Sequence, residues 1–174
     1  MKKFLTLMLA LALTLTAVSA LASSPTVPSK TDSTPAEETE EFSLWIDATK
    51  ADLANAEIDK LNDAGIEYFG AAGDAIAAIL GEGEYEVNEF AAVSASNSDA
   101  IEGDTVTVTL AFATPYEAGA KVAVLIGIVG DEEIAWNVYE GTGVEGGAVS
   151  FELPATVAAD IENGSALIAV VNAK

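Results

Sequence analysis

Oxygen-bearing side chains crowd into one stretch of this chain, where Asn97, Asp99, Glu102 and Asp104 follow one another closely. Calcium takes about six to eight oxygens in flexible geometry, and a loop between strands can present them. These four are therefore the candidate Ca²⁺ ligands, with a polar turn held by Asx-type hydrogen bonds as the competing reading. EF-hand order is not met, since Ile101 stands where an oxygen is needed and Glu102 where a glycine is needed. Asp131, Glu132 and Glu133 form a second acidic tip. Aromatic rings that stack on sugars are the other candidate chemistry. Tyr116 in a turn, Tyr139 in a strand and Trp45 near the N-terminal linker are expected to be exposed, whereas Trp136, between Ile134 and Val138, is expected in the core.

Other chemistries are excluded or unsupported. The chain has no Cys and no His, which removes thiol nucleophiles, disulfides, zinc sites of the usual kind and every His-dependent triad. Gly141-Thr142-Gly143-Val144-Glu145-Gly146 matches a dinucleotide-binding pattern literally, but a strand rather than a helix follows and Glu145 would repel phosphate. It reads as a flexible loop. Carboxylate pairs could cleave glycosides, yet no cleft signal accompanies them. With 7 Lys+Arg against 28 Asp+Glu, net charge −21, nucleic acid and anionic membrane surfaces are disfavoured partners.

The elements that would position these residues follow from hydrophobic period. Asp104–Thr114 alternates, with Val106, Val108, Leu110 and Phe112 on one face, as a half-buried strand does. Lys121–Val129 is apolar on both faces and predicts a strand covered on both sides. Further strands are expected at Val87–Ala95, Glu133–Glu140, Ala148–Leu153 and Ser165–Asn172, with a short helix at Val157–Ile161 before the last. Ala148–Leu153 alternates like Asp104–Thr114, and Ser165–Val171 is apolar throughout like Lys121–Val129. In a two-layered antiparallel sandwich each like pair would be neighbours within one sheet. The doubly apolar sheet then needs an outer cover.

Upstream, Phe42–Gly81 is patterned for helix, as two short antiparallel helices or one broken helix, with Gly65 a stop signal. This segment is the expected cover, and a binding surface for a partner chain is the alternative. Residues 23–41 hold Pro25, Pro28, Pro35 and an acidic cluster, and read as a disordered linker. Residues 1–22 read as a secretory signal: Lys2 and Lys3, an apolar run from Phe4, then Ala20-Leu21-Ala22. No membrane insertion is expected after its removal.

A signal, a Ser/Thr/Pro-rich linker, a helical segment and a terminal β-module resemble small secreted Gram-positive bacterial proteins of unknown function with immunoglobulin- or fibronectin-III-like C-terminal modules. The resemblance lies in Phe112-Ala113-Thr114-Pro115-Tyr116-Glu117-Ala118-Gly119-Ala120-Lys121-Val122 and Ile161-Glu162-Asn163-Gly164-Ser165-Ala166-Leu167, and covers about Val87–Lys174. It implies a surface or extracellular role and no activity. The expectation is thus an α+β chain, mainly β: a helical hairpin (42–81) before an immunoglobulin-like antiparallel β-sandwich (85–174). The expected function is a secreted, non-enzymatic structural or adhesion module that binds a protein partner at the cell surface or extracellularly. The alternative is a carbohydrate- or cell-wall-binding module using Tyr116 and Tyr139, and a carboxylate-dependent hydrolase stands third. Calcium is the one cofactor considered.

Overall fold

A computed structural model describes residues 41–174. The expected secretory signal and all but the last residue of the expected linker lie outside the described residues. Seven strands form one antiparallel sheet: β1 Ser43–Ile46, β2 Tyr85–Ser96, β3 Thr105–Leu110, β4 Lys121–Val129, β5 Ile134–Gly143, β6 Val149–Pro154 and β7 Ala166–Ala173. Helices α1 (Ala51–Ala64) and α2 (Ala72–Leu80) lie between β1 and β2, and α3 (Ala155–Asn163) lies between β6 and β7. The fold is mainly antiparallel β with a helical segment, class α+β.

The strand order is β1-β2-β7-β4-β5-β6-β3, and the sheet rolls until it is nearly closed. Within it β4-β5-β6 is a meander. β7 returns to lie beside β4 and β3 lies beside β6, so two Greek-key arrangements overlap. Both expected neighbour relations are present, β4 with β7 and β3 with β6. The two pairs nevertheless belong to one sheet and not two. β5 runs the whole length of β4 and then continues through Gly141–Gly143 onto β6, which joins the layers by hydrogen bonds. The first strand falls inside the segment read as helical. Ser43-Leu44-Trp45-Ile46 is too short to declare its period, and only its pairing with Val93–Ser96 makes it a strand.

Each face of the central strands has its own core. On the inner face Val122, Val124 and Ile126 of β4 meet Ile168 and Val170 of β7, Val93 of β2 and Phe151 of β6; Ala158 and Ile161 of α3 close the compartment. On the outer face Leu125, Leu167, Ala169 and Phe90 receive Leu61 of α1, Ile76 of α2 and Phe69 between them. The helices are therefore the cover that the doubly apolar strands require. They start and stop for local reasons. Asp47 accepts a hydrogen bond from the Thr49 N–H at 2.9 Å and one from the Ser94 hydroxyl at 2.7 Å, which pins the start of the helical segment to β2. α1 ends at Gly65 (φ 57°) and α2 at Gly81 (φ 86°), where a left-handed backbone halts the helix.

Candidate functional site: a groove between helices and hairpin

A groove of about 720 Å³ lies between α1, the start of α2 and the β4–β5 hairpin. Its floor is built from a glycine outward. Gly127 lies directly opposite Trp136 in the β4–β5 ladder. A Cβ at Gly127 would stand 2.7 Å from Trp136 Cζ3 and 2.6 Å from Ile134 Cγ2, so the missing side chain is the seat of the indole. The ring then meets Phe69 edge-on at 4.9 Å and Tyr68 at 6.0 Å between centroids. Phe69 is buried, while Tyr68 and Trp136 are half-buried and line the groove.

The helical wall is polar. Tyr68 donates its hydroxyl proton to Glu57 Oε2 at 3.0 Å, and Lys60 Nζ lies 2.8 Å from Oε1 and 3.0 Å from Oε2 of the same carboxylate. Burial, with the Glu57 carboxylate beside it, pushes the Tyr68 phenol above its ordinary value, so Tyr68 remains a donor. The opposite lip is the hairpin tip, where Asp131, Glu132 and Glu133 are all exposed. The ion pairs among the described residues are Lys60–Glu57 and Lys121–Glu140, so none of the three lip carboxylates has one. Half-covered aromatic rings and carboxylates without an ion pair among the described residues thus line one groove.

The residues singled out in the sequence stand elsewhere. Asn97, Asp99, Glu102 and Asp104 do not assemble a chelate: among the described residues no three acidic side chains are placed to share a metal ion. The turn is held instead by Glu162, whose carboxylate accepts from the backbone N–H groups of Asn97 and Ser98, each at 2.9 Å, while the Asn97 amide donates to the Glu41 carbonyl. Tyr116, expected on the surface, is only 6% exposed, and its ring belongs to the inner core. The connection 115–120 is hydrogen-bonded to the end of β5 and to the turn that follows it, with Gly119 N–H to Gly143 O at 2.8 Å and Tyr116 N–H to Gly147 O at 3.0 Å, and this turns the ring inward. Tyr139 is half-buried on the inner face and stacks on Phe151 at 6.3 Å. Burial, with Asp160 nearby, raises its phenol above the ordinary value. The two tyrosines thus present no common surface to a sugar.

The Gly141–Gly146 stretch is likewise not a flexible loop. Gly141 and Gly143 lie in β5, and a Cβ at Gly143 would stand 2.1 Å from the Glu117 carbonyl oxygen. Trp136, read as core, is the floor of the groove. No site role was read in the sequence for Tyr68 or Phe69; the available signals were Gly127 inside an aliphatic strand and an aromatic pair set between Gly65 and Gly70. No family model matches the chain, and no curated protein or solved structure matches it significantly.

Proposed function

We propose that this chain is an exported, non-enzymatic module that binds a protein partner extracellularly or at the cell surface through the groove between its helices and the β4–β5 hairpin. The observation that carries the reading is the incomplete outer cover: a groove of about 720 Å³ left open over half-buried Trp136 and Tyr68. The overlapping Greek keys support assignment of the β-layer to the immunoglobulin-like kind, joined here into one rolled sheet. A binding role fits better than catalysis because both oxygens of Glu57, the acid in the groove wall, are already engaged by Lys60 and Tyr68. Among the described residues no helix is long and apolar enough to cross a membrane.

Two measurements test this. A photo-crosslinking amino acid at Glu132, in the full chain made by its own cells, is expected to yield a discrete protein adduct that excess unlabelled chain competes away. The same group at Glu145, at the other end of β5, is expected to yield none; equal adducts, or no adduct at Glu132, would overturn the binding assignment. For export, the chain recovered from the medium should begin at Ser23, and an intracellular chain beginning at Met1 would refute it.

One feature favours a second reading, carbohydrate binding. Trp45 is half-buried in a shallow groove of about 340 Å³ shared with Thr107 and Thr109 of β3. Binding on a glycan array that Trp45→Ala abolishes would favour this reading, and silence on the array would remove it.

A further inference from the structure

We infer that the occupant of this groove is a cationic side chain carried on an extended, basic peptide segment of the partner. The inference rests on the reading of the groove as a protein-binding site and specifies its chemistry. The groove wall and lip carry four carboxylates, Glu57, Asp131, Glu132 and Glu133, against one ammonium, Lys60, a balance of 1 − 4 = −3. Lys60 is committed to Glu57, which leaves the lip acids without an ion pair among the described residues. The Trp136 and Tyr68 rings line the same groove and offer π-density, which attracts an ammonium or guanidinium near the ring face.

Lys60 is an internal precedent. Lys60 lines the groove and its ammonium is held by a carboxylate that also accepts from Tyr68, while its side chain stays 66% exposed. A second lysine or arginine entering from solvent would lay its aliphatic stem on the Trp136 ring and its charge among the lip acids. Alternative occupants fit less well. A second copy of this chain brings a net charge of −21 and is repelled. Nucleic acid is repelled likewise, and a neutral glycan leaves three carboxylates unused. A metal ion finds no group of three acidic side chains placed to share it among the described residues.

The test must separate the groove from the general attraction of so acidic a chain for any polycation. The protein is the full chain carrying Trp45→Phe, so that Trp136 is the only indole reporter. The probe is a synthetic octapeptide alternating lysine with glycine, titrated while Trp136 fluorescence and heat are recorded; spermidine and an acidic octapeptide are the controls. Saturable binding with a change in Trp136 emission is expected, weakening as salt is added. Replacing the lip acids together (Asp131→Asn, Glu132→Gln, Glu133→Gln) should weaken it at least tenfold. The charge-matched triple Asp99→Asn, Glu102→Gln, Asp104→Asn, away from the groove, should change it less than twofold.

Equal weakening by the two triples, or binding without a change at Trp136, would overturn the inference, because charge alone would then explain it. Spermidine binding as tightly as the peptide would overturn the peptide assignment. A Glu132 crosslink to a partner that survives in a chain carrying Asp131→Asn and Glu133→Gln, together with no peptide binding, would leave the groove as a protein site and refute its cationic ligand.

Discussion

The two faces of the central strands are equally apolar, yet they are sealed by different means. The inner face is closed by the curl of the sheet itself, with α3 as a stopper, and Ile168, Leu153 and Val124 are fully buried. The outer face depends on a separate layer. α2 has 9 residues and β4 also has 9, but at about 1.5 Å per residue the helix spans roughly 14 Å, against roughly 30 Å for the strand. The hairpin end of the sheet is covered only in part, with Ile134 and Trp136 left half-buried, and the groove opens over them. A layer that closes on itself has no shortfall of this kind, whereas a layer laid across another stops where its elements end.

The comparison breaks most sharply in the cores. Ile168→Ala, in the inner compartment, should cost about 2–5 kcal/mol, because the rolled sheet cannot collapse around the void. Ile79→Ala, half-buried at the margin of the outer layer, should cost about 1 kcal/mol, since solvent already reaches its surroundings. Urea denaturation of both variants reads the difference, and equal losses would mean that the outer cover is as tightly built as the interior.

A second contrast lies within the inner compartment. Glu89 pairs with Val170 and faces inward with it, 1% exposed; its Oε1 accepts from the Thr114 N–H at 2.9 Å, and its Oε2 has no partner among the described residues. Burial pushes its carboxyl above the ordinary value, and the Thr114 hydrogen bonds offset this only in part. The folded state therefore holds this proton more tightly than the unfolded chain does. Stability contributed by the protonated form is complete below the ordinary carboxyl range and is lost as pH rises through the raised folded value. Glu89→Gln should remove that slope and add about 1–3 kcal/mol at neutral pH. Melting temperatures at pH 5 and pH 8 would show it, and an unchanged pH slope in the variant would contradict it.

Glu162 has the opposite sign and the smallest effect. Hydrogen bonds from Ser98 and Asn97 hold its exposed carboxyl below the ordinary value. Its contribution is present above the ordinary carboxyl range and is lost as pH falls through the lowered folded value. Glu162→Gln should cost less than about 1 kcal/mol at neutral pH, because solvent screens the interaction, and the loss should vanish in acid. A loss of equal size at pH 3 would point to packing instead of charge.

Much of this architecture was legible in the residues. Lys121–Val129 coincides with β4 end to end, because a continuous β-branched and aliphatic run has one way to be buried. Pairing of β4 with β7 and of β3 with β6 followed from faces: a doubly apolar strand must neighbour its like, and an alternating strand has one wet side. Asp104–Thr114 was overextended, since β3 ends at Leu110 and Phe112 turns in to meet the Tyr116 ring at 6.0 Å. β1 was missed because four residues hold too little period to compete with the helix that follows. The fate of Tyr116 was illegible for a different reason, since its burial depends on backbone hydrogen bonds donated to the carbonyls of Gly143 and Gly147, remote in the chain.

Local spacing was enough for the class of this protein, the identity of most of its strands and the need for a cover over a sheet apolar on both sides, because burial period is written residue by residue. Whether the layers joined into one sheet, which tyrosine was swallowed, and where the cover fell short were decided by contacts between distant segments. A groove is the mismatch between two surfaces, and neither surface carries the outline of the other in its own stretch of chain.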